Sequence, residues 1–385
     1  MYGSCLLLVF VYLAYPNAVV SSPTLASRIE GAYFGSLVAD ALCLGTHYEY
    51  DAQKIANFYG KLDMYYAPGE KTGGQTHGVG WGARNYHGGN GRGPPKRAGE
   101  NTDYGDYQSL MLKIMYERLP KTGPLSVQED IIPLWRESLK TWRAWMCTMT
   151  KRTAQQVDRG VPASQLGGHS NAMAVRFAAA YAYFDSEDDV VDAAHKTMFT
   201  HRERTAHEGA EFFARVTYLI VREGLSPEAA IDRVAAVSSA FVRDKVAQAK
   251  RKVREATDPA SDLYKEPFAD DLALTSMARL WDVGKSEPIR VGKASPTEGT
   301  LPGSVYFILK YKNDFLGAIS SNSAVGGDNA SRGVAIGMVL GAHLGVEAIP
   351  KGLRDGLIEW PKSQRMLRSG PVLRRALGGE EQGEL

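Results

Sequence analysis

The sequence has little cysteine: three residues in 385, of which Cys5 lies in an apolar run near the amino terminus. The other two, Cys43 and Cys147, could close at most one disulfide, and their spacing is not that of paired zinc ligands. Neither a disulfide framework nor a zinc module therefore organises the fold. An excess of charge is also missing, since 45 Lys and Arg face 43 Asp and Glu. Such a balance leaves no broad field to draw in nucleic acid or an anionic membrane surface. No segment alternates polar and apolar residues as a half-buried strand would, and there is no internal repeat. The apolar run Cys5 to Ala14 is too short to span a bilayer comfortably. Followed by the small residues Ala18 to Ser22, it reads as a signal peptide over residues 1–22 and predicts a secreted or endomembrane-lumen protein without a membrane span once matured.

What is present is enough apolar material for a large core, 44% of residues against 23% charged. Helical periodicity predicts one large all-α domain over 23–360. The expected helices lie at about 24–44, from near Tyr104, then at 126–149, 171–184, 187–199, 205–223, 227–255, 268–282 and 303–320. The first carries a low-profile stripe of Gly31, Ala32, Gly35, Ser36 and Ala39, which lets another helix approach closely. Tyr107, Leu110, Met111, Ile114 and Met115 mark one buried face of the second. Near the end, Gly333, Gly337, Gly341 and Gly345 recur every four residues along an apolar helix that must also pack tightly. Residues 59–99, rich in Gly and Pro, form a long loop with a binding role, and 361–385 read as a solvated tail.

Three segments carry candidate chemistry. In Thr102-Asp103-Tyr104-Gly105-Asp106, the two acids stand three apart at a helix start. With Thr102 they either gather oxygen ligands for a hard cation or simply cap the helix. In Gly326-Gly327-Asp328-Asn329-Ala330-Ser331-Arg332, glycines precede the striped helix. Either its exposed amides hold an anion such as phosphate, or Asp328 or Ser331 simply caps the helix. Asn329-Ala330-Ser331 is also an N-glycosylation sequon, hard to reconcile with a site at the same place. Third, Glu49 follows the first helix and could act as a general base. Of the histidines, His87 in the Gly-rich loop is a candidate ligand contact.

Together these segments resemble the ADP-ribosylglycohydrolase family. The residues that carry the likeness are Gly31 to Leu42, similar to the family's G-A-x-x-G-x-x-x-G-D-A-L helix, then Thr102-Asp103, Ser170-Asn171-Ala172-Met173, Thr200-His201, Gly326-Gly327-Asp328 with the glycine helix, and Ile349-Pro350, all in order. The resemblance implies a single large orthogonal all-α domain and hydrolysis of an ADP-ribosyl or related nucleotide-sugar bond, on a small molecule or on protein. It also implies magnesium held by Thr102, Asp103, Asp106, Asp328 and Ser331, with Glu49, Asp103 and Asp328 catalytic and Gly326, Gly327, Asn329, Arg332 and His87 binding the ligand. The chain departs from the family's T-D-D-[ST] and G-G-D-x-D-[ST] patterns. Ala330 replaces an acid in the second, and the first can be aligned to keep either Asp103 or Asp106. One weakly held magnesium, or none, is the expectation, and a catalytically inactive nucleotide-binding or crystallin-like structural protein of the same fold is the alternative.

Overall fold

A computed structural model of the chain describes residues 22–72, 94–143, 145–277, 279–280, 289–290 and 292–381. The expected signal peptide, His87 and most of the Gly-rich loop lie outside the described residues.

Helix α1 (Leu25–Cys43) starts where the Thr24 side chain accepts from the Ser27 amide, and nearly every residue in it is buried. The chain continues through α2 (Ala52–Tyr59), α3 (Asp103–Thr122), a π-turn at Val127–Ile131, α4 (Ile132–Leu139), α5 (Thr148–Asp158) and the single turn α6 (Ala180–Tyr183). Next come α7 (Glu187–Thr197), α8 (Arg204–Glu223), α9 (Pro227–Val237), α10 (Ala240–Thr257), α11 (Asp262–Lys265) and α12 (Ala269–Met277). The last group is α13 (Thr297–Lys310), α14 (Phe315–Val325), α15 (Asn329–Leu344), α16 (Lys351–Gly356), α17 (Trp360–Arg368) and α18 (Pro371–Glu381). Among the described residues, β pairing is limited to two short strands, with Arg279 opposite Arg290 and Leu280 opposite Ile289, and to the isolated bridges Gly168–His201 and Ala172–Pro296. The fold is all-α, as the sequence pattern predicts.

The centre of the molecule is the contact of α1 with α15. The two small-residue stripes meet: a Cβ added at Gly35 would lie 2.2 Å from the Gly337 carbonyl oxygen, and one at Gly341 would lie 2.0 Å from that of Gly31. Only glycine permits backbones this close. Around this pair pack α3, with Tyr107, Met111, Ile114 and Met115 buried as the periodicity predicts, and α8, α13 and α14.

Several expected helices are cut where tertiary bonds outcompete local periodicity. Residues 171–179 are not helical: Gln108 of α3 donates to the Val175 carbonyl and accepts from the Ala178 amide, while the Asn171 carbonyl accepts from the Thr297 amide. The 126–149 segment breaks between α4 and α5, which Cys147 caps. Ser239 and Asp314 likewise cap new helices inside 227–255 and 303–320. The segment beyond Pro361 is not a solvated tail. It forms most of α17 and α18, which bury Met366, Leu367, Val372 and Leu373, and Trp360 stacks on Phe34 of α1 at 3.8 Å between ring centres. Its arginines mark the outer face of amphipathic helices.

Candidate functional site

The starts of α3 and α15 converge at the carboxyl end of α1. Asp40, fully buried there, accepts from the Thr102 hydroxyl at 2.5 Å, the Thr102 amide at 2.8 Å and the Asn101 amide group at 2.9 Å. Burial pushes its carboxyl up to about 6, opposed by those hydrogen bonds. Thr102 also caps α3 by accepting from the Tyr104 amide, so its hydroxyl is committed to structure.

Asp103, the first residue of α3, faces a pocket of about 210 Å³ lined also by Tyr48, Tyr104, Trp145, Cys147, Arg176, His201 and Ser295. The residue is 8% exposed, and its buried Oδ1 has no hydrogen-bond partner. Burial holds it well above the usual carboxylate range, reinforced by the charges of Asp328 and Asp40 and opposed by Arg176. Asp106 points elsewhere: it pairs with Lys96 at 2.5 Å and lines a separate depression. Of the two acids, Asp103 is the one at the pocket, in keeping with the register that retains it.

Asp328 is fully buried and lies behind the wall. Its Oδ1 caps α15 by accepting from the Ser331 amide at 3.3 Å, and its Oδ2 accepts from the Tyr104 hydroxyl at 2.8 Å and the Tyr48 hydroxyl at 3.4 Å. The tyrosines line the pocket and Asp328 does not. Tyr48 adopts φ +62°, an outlier for a bulky residue, and its amide donates to the Gly327 carbonyl at 2.9 Å.

The remaining expectations for the second motif change with the structure. The amides of Gly327 and Asp328 donate to the carbonyls of Glu49 and Lys293, both at 2.7 Å, so neither is left to hold an anion. Gly326 and Gly327 serve close packing instead: with φ of +73° and +66°, each would drive a Cβ into those same carbonyl oxygens. Asn329 points into the core, bonded to His47 and Thr46, and the fold has no room for a glycan on its buried amide. The Ser331 hydroxyl donates back to the Asp328 carbonyl. Arg332 is buried beneath the turn, donating to Asn322 Oδ1 and the Gly326 carbonyl, and does not line the pocket. Glu49 pairs with Lys54 at 2.7 Å and does not line it either.

Sequence reasoning missed Arg176, His201 and Cys147. The Arg176 guanidinium lies 3.6 Å above the Tyr107 ring and donates to Thr200 Oγ1, leaving Nε unpartnered. His201 shares Thr200 Oγ1, and burial together with Arg176 holds its ring well below the usual imidazole range, so it is neutral. The signal for both was the segment from Ser170 and the pair Thr200-His201, quoted above as motif residues without a role. Cys147 carried no signal of its own.

The ADP-ribosylglycohydrolase family profile matches residues 21–381. The chain belongs to this family. No curated protein sequence matches it. Among solved structures it is similar to an "ADP-ribosylglycohydrolase-related protein complex", at 18% identity with TM-score 0.55, covering 92% of this chain and 99% of that one, a likeness of fold. Membership carries a hydrolase-like function. No helix among the described residues is long and apolar enough to cross a membrane.

The family pattern implies magnesium, and the donor set here does not fit a metal pair. Thr102 is spent on Asp40, Asp106 on Lys96 and Ser331 on the Asp328 carbonyl, while Tyr104 and Ala330 stand where the pattern has acids. Phenol hydroxyls donate to the Asp328 oxygen that would face a cation. Among the described residues no group of three His, Cys, Asp or Glu side chains comes together to hold a metal ion.

Proposed function

We propose that the protein hydrolyses the glycosidic bond of an ADP-ribosyl or related nucleotide-sugar substrate by carboxyl chemistry, with no step assigned to magnesium. The observation that carries the reading is Asp103, a buried carboxyl at the pocket wall with one unpartnered oxygen, whose hold on its proton is strengthened by burial and by the charge of Asp328. It donates its proton to the leaving atom of the scissile bond. Water then adds to the oxocarbenium-like ribose carbon, giving a proton to the Tyr104 hydroxyl as that group passes its own to Asp328 along their 2.8 Å hydrogen bond. At about 210 Å³ the pocket is smaller than the ~300–1,000 Å³ of sites that bury a drug-sized ligand. It therefore takes the terminal ribose, with Arg176 supplying charge for the adjoining phosphate. The apolar amino-terminal run supports an acceptor in the secretory pathway or outside the cell.

A second reading, a ligand-binding protein without turnover, is favoured by the two tyrosines that stand between Asp328 and the pocket. One experiment separates them: release of ADP-ribose from ADP-ribosylated protein and from O-acetyl-ADP-ribose, with magnesium and with chelator, alongside calorimetry with ADP-ribose. Turnover unaffected by chelator and abolished in Asp103→Asn supports hydrolysis. Binding without turnover leaves the second reading, and the absence of both removes the pocket from either.

A further inference from the structure

Away from the pocket, α7 and α8 bring two imidazoles together, their ring centres 5.2 Å apart and their planes tilted by 42°. His195 Nδ1 and His207 Nδ1 lie 3.3 Å apart. The other nitrogen of each ring has an acceptor as its partner. His195 Nε2 is 3.1 Å from Glu211 Oε2, and His207 Nε2 is 2.7 Å from the His201 carbonyl oxygen. A carbonyl can only accept. The Glu211 carboxylate, whose other oxygen accepts from Arg215 Nε at 2.9 Å, accepts as well. Both rings therefore carry their hydrogen on Nε2, and in the neutral rings both Nδ1 lone pairs point into one gap.

Two lone pairs this close repel unless a positive centre lies between them. Zinc bound to imidazole at about 2.0–2.1 Å in tetrahedral geometry sets its two nitrogens about 3.3 Å apart. The outer contacts are those that orient metal-bound histidines, one ring donating to a carboxylate and the other to a backbone carbonyl. The His195 side chain is 41% exposed, so an ion reaches the gap from solvent. Among the described residues no third His, Cys, Asp or Glu side chain joins the pair, so water fills the remaining positions.

We infer that His195 and His207 form a surface site for a divalent transition metal of the zinc or copper class, clamping α7 to α8. Two neutral imidazoles select such ions over magnesium. The site also braces the turn before α8, because the carbonyl that orients His207 belongs to His201, whose ring lines the pocket.

The test uses the full untagged chain stripped with chelator and desalted. Zinc titration by calorimetry is expected to show one ion per chain, and copper electron paramagnetic resonance to show coupling to imidazole nitrogen. His195→Gln and His207→Gln should each weaken binding by at least about 100-fold, and Glu211→Gln, which alters only the outer contact, by about 10–100-fold. Zinc should raise the melting temperature of the wild type and of neither histidine variant. A flat wild-type isotherm would mean that the rings share only a proton and would overturn the inference. So would zinc binding left unchanged by both histidine substitutions.

Discussion

The Tyr104 hydroxyl donates to Asp328 Oδ2 across 2.8 Å, joining the first turn of α3 to the cap of α15. In the family pattern an acid stands at position 104. Here a neutral donor meets the surviving aspartate, so charge that a cation would offset is met by a phenol hydrogen. The relationship leads to a gain-of-function prediction. Restoring both acids, Tyr104→Asp with Ala330→Asp, removes the donor and adds two hard oxygen ligands near Asp103 and Asp328. The double variant should bind magnesium more tightly than the wild type by calorimetry, and equal isotherms would refute this account of the motif.

The buried carboxyls predict a pH dependence of stability with a definite sign. Burial raises Asp40 to about 6 and Asp103 well above its usual range, so the folded state binds more protons than the unfolded one. Stability from these groups is then greatest below the unfolded pKa of about 4 and is lost as pH rises through the folded values. For Asp40 the window runs from about 4 to about 6 and amounts to roughly 3 kcal/mol. Asp103 extends the loss to higher pH. Urea unfolding at pH 4.5 and 7.5 should show Asp103→Asn gaining relative to the wild type at the higher pH.

The α1–α15 contact should be intolerant of a single methyl. Gly337→Ala would place Cβ 2.1 Å from the Gly35 carbonyl oxygen, and backbone on both sides leaves nothing flexible to move. A loss of at least ~1–3 kcal/mol is expected from overpacking. Gly352→Ala on α16, where an added Cβ meets nothing within 4 Å, should be neutral or stabilise by ~0.5–1 kcal/mol. Thermal unfolding of the pair isolates packing from helix propensity.

Cys147 offers a chemical probe of the pocket. Cys147 is half-buried on the pocket wall, whereas Cys43 is buried. Iodoacetamide should label Cys147 and leave Cys43 unmodified in the folded chain, and bound ADP-ribose should slow the labelling. Mass spectrometry of labelled peptides reads both outcomes. Labelling of Cys147 at the same rate with saturating ligand would place the ligand elsewhere.

The legible parts of this protein are those governed by neighbours along the chain. The buried face of α3 follows from its own spacing, and the extent of α1 from its run of apolar and small residues. The glycine stripes announce close packing, although not that they meet each other. Segments whose hydrogen bonds go elsewhere were misread. The stretch after Asn171 has apolar content fit for a helix, yet Gln108 and Thr297 take up its backbone groups. The basic residues beyond Pro361 hide the apolar face on which Trp360, Met366 and Leu367 pack.

The site divides in the same way. Sequence alone determined that Asp103 and Asp328 stand at helix starts, and that Ala330 occupies a place where the family pattern has an acid, because residue identity needs no coordinates. Only the tertiary structure decided that Asp103 faces the pocket while Asp106 turns to Lys96, that the Gly327 and Asp328 amides are consumed by Glu49 and Lys293, and that Arg332 and Asn329 point inward. Each of those outcomes depends on partners from another part of the chain competing for the same polar atom. Burial then makes the choice binding, since a polar group removed from water must keep the partner that the fold supplies.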